Sequence, residues 1–224
     1  MRKRSAVTRE VLIRAAAEAF ERNSFGETRL EDVVAGHDVS KGALYFHFPS
    51  KEALAAAVID VAYAPWPQRL ARLRTVHPRA MTRLVAVGQE VIDAYRNEVG
   101  MRAGLRLMSE VTSGAPSLPR PLTGWLAAVE GLLTEADEQG DLLPGTDIPR
   151  SARLILSGFT GLPRIPRAAD PGALPGPADP PAHAELAELA ADMNAFWLAL
   201  LPGLVHDECR AVLAPVLIRS PLSS

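Results

Sequence analysis

Residues 28–54 read TRLEDVVAGHDVSKGALYFHFPSKEAL, and the punctuation of this stretch decides the fold. Thr28 stands three residues before Glu31, the spacing of a capping box, in which a hydroxyl and a carboxylate satisfy each other's helix-end amides. Leu30, Val33 and Val34 give the short helix that follows an apolar face. Gly36, His37 and Asp38 break it. Ser40 is placed to cap a second short helix from Lys41 to Phe46, which Pro49 closes. Ser50 then caps a longer helix through Leu54, Val58 and Val61. Two short helices across a tight turn are the anatomy of a helix-turn-helix, whose second helix enters the DNA major groove.

Helical patterning extends outward on both sides. Thr8 is a plausible cap for a first helix whose apolar face is Val11, Leu12, Ala15, Ala16, Ala19 and Phe20. After a break at Ala64-Pro65-Trp66-Pro67, one stripe holds Met81, Leu84, Val85, Val91, Ile92 and Tyr95. Others hold Leu122, Leu126, Val129, Leu132 and Leu133, then Leu154, Ile155, Leu156 and Phe159. A final pair carries Leu186, Leu189, Met193, Phe196, Trp197 and Leu200, then Val205, Val212 and Leu213. Nothing alternates with period two over a useful length, so the fold class is all-α. Residues 162–181 hold seven prolines, which lack the amide donor and clash inside a helix, so an irregular, mobile loop is expected there.

Composition bounds the function. The 224 residues are 48% hydrophobic and 22% charged, as in a globular protein. No run of about 18 apolar residues offers a membrane span, and the basic start lacks the apolar core of a secretion signal. A cytoplasmic location is therefore expected. The one cysteine, Cys209, excludes an internal disulfide framework. The net charge is −2, yet the first 51 residues carry +2 and all three lysines, Lys3, Lys41 and Lys51. The asymmetry is mild, but its sign is right for a basic head on an acidic body.

Within the candidate head, Ser40, Lys41, Gly42 and Ala43 open the second helix. Lys41 reaches guanine acceptors or phosphate, and Gly42 and Ala43 admit close backbone approach and contact with a thymine methyl. Thr28, Tyr45, Phe46, His47 and Lys51 complete the candidate DNA-binding set. Thr28, Tyr45, His47 and Lys51 are assigned to phosphate oxygens, Lys51 with Ser50 at a helix N-terminus. Leu44 and Phe48 pack inward. Arg2, Lys3 and Arg4 form a basic tail within reach of the adjacent backbone or minor groove.

The segment from Val39 to Leu54 resembles the DNA-binding head of TetR-family repressors, and the likeness covers roughly residues 8–60. GALYFHF (42–48) is most similar to the branch of γ-butyrolactone and furan autoregulator receptors. AYAPWP (62–67), LRLMSE (105–110), PLTGW (121–125) and FTG (159–161) resemble that branch more faintly. The resemblance implies a helix-turn-helix head, residues 1–52, on a helical ligand-binding and dimerisation body, residues 53–224. It implies a homodimer through the C-terminal helices, operator DNA as one partner and a small-molecule inducer as the other. Ligand contacts fall to Tyr63, Trp66, Met108, Trp125, Phe159 and Thr160, and Trp197 goes to the dimer interface or core.

The implied function is a repressor of antibiotic biosynthesis released by a butyrolactone or furan signal. Ser24 and Asp38 stand where the family carries glycine, and the latter substitution strains the turn. Met108 and Leu122 replace polar or tyrosine residues of the furan receptors. These departures keep two alternatives: a pseudo-receptor answering to an antibiotic or intermediate, and a repressor of an efflux gene. A helical protein–protein adaptor is the alternative of another class. No nucleophile elbow, P-loop or dinucleotide fingerprint is present. His206 and Cys209 are too few ligands for a zinc site. No enzyme activity, catalytic residue, metal or cofactor is expected.

Overall fold

The computed structural model describes residues 2–23, 25–37, 39–111, 121–164 and 183–218. In chain order the helices are α1 (Arg2–Arg22), α2 (Leu30–Val34), α3 (Lys41–His47), α4 (Lys51–Tyr63), α5 (Trp66–Val76) and α6 (Ala80–Asn97). They continue with α7 (Val99–Val111), α8 (Pro121–Glu138), α9 (Ile148–Gly161), α10 (His183–Leu200) and α11 (Asp207–Ile218). Among the described residues the only extended pairing is an isolated bridge between Leu142 and Val205. The class is all-α, as the periodicity required. Two compact units form, Met1–Pro65 with Asn97–Arg120, and Trp66–Arg96 with Pro121–Ser224.

The first unit is built on α1, α4 and α7. Leu12, Ala15, Ala16, Ala19 and Phe20 are buried along α1, while Val11 turns outward. Alanines keep that face thin enough for close helix approach. On α7, a Cβ at Gly104 would lie 3.1 Å from that of Ala62, so small residues also set the α4–α7 spacing. Ala103 and Leu107 carry α7 into the same core as Leu44, Leu54 and Val58. Its polar flank ties down the end of α1. Arg102 pairs with Glu21, and Arg106 Nη1 donates to the Glu21 carbonyl at 2.9 Å, satisfying an acceptor the helix end leaves open.

Two local expectations in this unit change. α1 begins at Arg2, so Thr8 lies inside the helix rather than at its cap. The box before α2 sits one residue later: the Arg29 N–H donates to the Asp32 carboxylate at 3.2 Å, with Arg29 at the cap. That shift turns Thr28 inward, to 2% exposure. In the α2–α3 turn Gly36 is left-handed, φ +83°, where lack of a Cβ removes the steric cost. Ser24 and Asp38 lie outside the described residues.

The second unit packs α5, α6 and α8–α11. Every member of the α6 stripe is buried, as are Trp125, Val129, Ile155, Phe159, Met193, Trp197 and Leu213. Leu122, Leu154 and Val212 face outward instead. On α9 the buried set is Ala152, Ile155 and Phe159, and that register leaves Leu154 on the opposite side. Arg83, nearly inaccessible, donates to the carbonyls of His77 and Pro78 at 3.1 and 2.8 Å and pairs with Glu135. Leu162–Arg164 is a 3-10 turn, and the remaining proline-rich residues, 165–181, lie outside the described residues. No helix among the described residues is long and apolar enough to cross a membrane.

Candidate DNA-binding and ligand sites

The second helix of the motif is held by its two ends. The Ser40 hydroxyl accepts the Ala43 N–H at 3.2 Å, and the Phe48 N–H donates to the Leu44 carbonyl at 2.8 Å. Leu44 and Phe48, at 0% and 3% exposure, anchor α3 to the core. What remains outward is Ser40, Lys41, Gly42, Tyr45 and Phe46, with Ala43 and His47 half-buried. Phe46 is a large apolar side chain that is 80% exposed, with only the His47 ring recorded against it among the described residues. A Cβ at Gly42 would meet only the Ser40 hydroxyl, at 3.8 Å, so this face admits another backbone closely. One helix thus presents a cation, a bare backbone, a phenol and an aromatic edge on one surface.

Two predicted phosphate contacts are placed differently. Thr28 is buried, and the residue exposed beside it at the α2 cap is Arg29. The Lys51 ammonium donates to the carbonyls of Phe25, Thr28 and Gly26 at 2.7, 3.1 and 3.4 Å and lies 4.5 Å from the centre of the Phe25 ring. Its three protons therefore go to the α1–α2 turn. The same turn is gripped from α7, where the Glu110 carboxylate accepts the Phe25 N–H. Ser50 caps α4 through the Ala53 N–H at 3.2 Å. The Glu52 carboxyl is held below the ordinary range by its own backbone amide and the Ser50 hydroxyl, so negative charge already occupies that helix end. The side chains of Arg2, Lys3 and Arg4 lie outside the description.

The six predicted ligand residues fall into groups. Trp66 and Trp125 meet edge to face, with centroids 4.6 Å apart. Phe159 joins Phe196 and Trp197 in a second aromatic cluster, at 6.5 and 5.8 Å, and Trp197 is fully buried there as core. The Thr160 hydroxyl donates to the Leu156 carbonyl of its own helix at 2.9 Å. Tyr63 and Met108 pack against the core of the first unit. Burial pushes the Tyr63 phenol well above its ordinary value, so it remains a neutral donor. A cleft of about 580 Å³ opens elsewhere in the second unit, with Arg79, Asp141, Val205 and Cys209 on its wall and none of these six. The sequence singles out His206 and Cys209 on this wall only as too few ligands for zinc, and the cleft itself is not legible there, because its walls come from segments about 60 residues apart.

The family model of the bacterial regulatory proteins, tetR family, matches residues 12–58. The A-factor receptor protein of Streptomyces griseus is 30% identical over 215 residues, spanning 95% of this chain and 69% of that one. The chain belongs to the TetR family. A γ-butyrolactone receptor (ArpA-like protein) superposes with a TM-score of 0.77 at 26% identity, covering 96% of this chain and 97% of that one. CprB of Streptomyces coelicolor, in complex with its biological operator sequence, superposes at 0.74 with 26% identity and the same coverage. The TetR head is thus the helix-turn-helix read in residues 28–48, with Leu44 and Phe48 as its inner supports. Further relatives, EthR of Mycolicibacterium smegmatis at 28% identity and RutR of Escherichia coli at 31%, are HTH-type transcriptional regulators.

Proposed function

We propose that this TetR-family regulator is a cytoplasmic homodimer that represses transcription until a small signalling molecule releases it from a pseudo-palindromic operator. The observation carrying this is the surface of α3: Lys41, Gly42 and Tyr45 stand free while Leu44 and Phe48 lock the helix beneath them. Ser40, Lys41, Gly42 and Ala43 read base edges. Tyr45 and His47 bind phosphate, and Phe46 lies against sugar or a thymine methyl. Arg29 takes the phosphate place first assigned to Thr28, and Lys51 and Thr28 shape the turn behind it. DNA contact stays within residues 1–52, and ligand binding and dimerisation within 53–224. The helix α7 belongs to the second stretch by position and to the head's compact unit by packing. It is therefore an element through which ligand can bias the head, provided the ligand binds the DNA-incompetent state more tightly.

The signal is of the butyrolactone or furan type, and the regulated genes serve antibiotic biosynthesis. Similarity to the A-factor receptor supports this reading. The pseudo-receptor stays as a second reading because the Thr160 hydroxyl donates to its own helix and keeps only acceptor capacity for a ligand. Fluorescence anisotropy on promoter DNA flanking the protein's own gene tests both. Tight, salt-sensitive binding released by a γ-butyrolactone supports the receptor. Binding that only the host's antibiotic extract releases supports the pseudo-receptor. A folded dimer with no affinity for this DNA overturns the operator assignment.

A further inference from the structure

The geometry points to the cleft of the second unit as a binding site for a small organic cation of the amidinium or guanidinium type, held by Asp141. The cleft encloses about 580 Å³, the size of a small-molecule site, and none of the six residues expected to meet the signal lines it. Asp141, Val205 and Cys209 are its buried members, and Leu143, Pro202 and Val212 add apolar wall. Asp141 is 1% exposed. Arg79, on the same wall, pairs with its Oδ1, while Oδ2 is buried with no hydrogen-bond partner among the described residues. A carboxylate accepts on both oxygens, and one left empty away from water keeps its full desolvation cost. Burial and this same carboxylate keep the Cys209 thiol protonated, so it is only a weak donor beside that charge.

The wall selects the charge and shape of the occupant. Asp207 and Glu208 already fill the positive end of the α11 dipole, so an anion meets repulsion there. Arg210 is paired with Asp207, and Glu208 has no ion-pair partner among the described residues. The wall thus sets three carboxylates against two guanidiniums. A planar cation with two N–H groups in a fork spans both oxygens of a carboxylate, which Arg79 does not do for Asp141. The Arg79 side chain is 46% exposed, so it can turn outward as the ligand enters. The other buried polar atoms without partners belong to Trp66, Arg83 and Trp197, and none of those residues lines this cleft. The competing account makes Asp141 an anchor for Arg79 and the cleft a surface hollow. It predicts no selective, saturable binding.

The test is titration calorimetry on the full-length protein without DNA, so its outcome is independent of the operator and signal readings. The probes are benzamidine, its neutral isostere benzamide and the anion phenylacetate. Benzamidine should bind saturably and at least about tenfold tighter than benzamide, the worth of a charge-assisted fork. Asp141→Asn should weaken it at least about tenfold by removing the anion. Val212→Trp should do the same by filling the cleft from an exposed position that leaves the core untouched. Arg79→Met removes the competing cation and should bind benzamidine about fivefold tighter. That variant should also melt below wild type and be raised more by benzamidine, because the ligand then pairs a buried charge. If Asp141→Asn does not fold, Val212→Trp and Arg79→Met decide the matter. Equal affinity for benzamidine and benzamide overturns the proposal, as does preference for phenylacetate. So does benzamidine affinity unchanged in Val212→Trp, or no saturable binding to wild type and Arg79→Met.

Discussion

The hydroxyl of Tyr45 sits on a side chain 48% exposed, one position after the fully buried Leu44. The two residues divide the work of α3: one holds the helix and the other faces outward. Tyr45→Phe should weaken operator binding about five- to tenfold, the loss of one phosphate hydrogen bond, with an unchanged melting temperature. Unchanged affinity by anisotropy would remove Tyr45 from the contact surface. Cys209 shows residue chemistry of another kind. Burial, then the neighbouring Asp141 carboxylate, pushes its thiol up to about 12 from 9.0. A raised folded-state value means the unfolded chain loses this proton first, so stability is whole below pH 9 and declines from there toward 12. The urea midpoint should fall between pH 8 and pH 10, and fall less in Cys209→Ala. Equal slopes in the two proteins would contradict the shift. Tyr63 titrates in the same direction and is common to both, so the difference isolates the thiol.

Among the elements, α9 and α10 meet most tightly where a glycine allows it. A Cβ at Gly158 would stand 2.5 Å from the Phe196 ring. That ring cannot swing away easily, because Trp197 and Phe159 lie against it at 5.4 and 6.5 Å. Gly158→Ala should therefore destabilise by about 1–2 kcal/mol, since overpacking outweighs the alanine's helix propensity. Adding Phe196→Leu should recover part of the loss in a thermal melt; a stabilised single variant would show the contact to be loose. Caps were legible at this scale where they are local. Ser40 and Ser50 accept the N–H three residues on, as their positions alone required. Thr28 was not legible, because Asp32 offers a second partner one residue away, and the box formed in that later register with Thr28 buried. The intrachain partners of Lys51 were not legible for a related reason. Its three carbonyl partners lie 23 to 26 residues earlier, and a local sequence reading sees only a cation at a helix start.

At the scale of the whole molecule, a regulator reading two half-sites needs a partner copy. The second unit offers outward apolar side chains on its long helices: Leu154 on α9 at 54% exposure and Leu198 on α10 at 64%. Exposed leucines of this kind suit a helix-pair interface between protomers. Leu198→Glu should raise the dimer dissociation constant at least about a hundredfold by burying a carboxylate in that seam, measured by sedimentation. It should weaken operator binding in proportion. A variant that remains dimeric places the interface elsewhere.

Patterns carried by neighbouring residues were enough for the all-α class, the helix-turn-helix and the outward set on α3. Period, caps and turn glycines act within a few residues, and local sequence encodes them directly. The partnership of α7 with α1 and α4 was decided only in three dimensions. Glu21 meets Arg102 and Phe25 meets Glu110 across 81 and 85 residues. Nothing in the period of a helix says which face of a distant segment will complete its ion pairs. The Trp66 indole, which meets no acceptor among the described residues, has the same origin: every tryptophan carries that N–H, and only packing determines whether an acceptor reaches it.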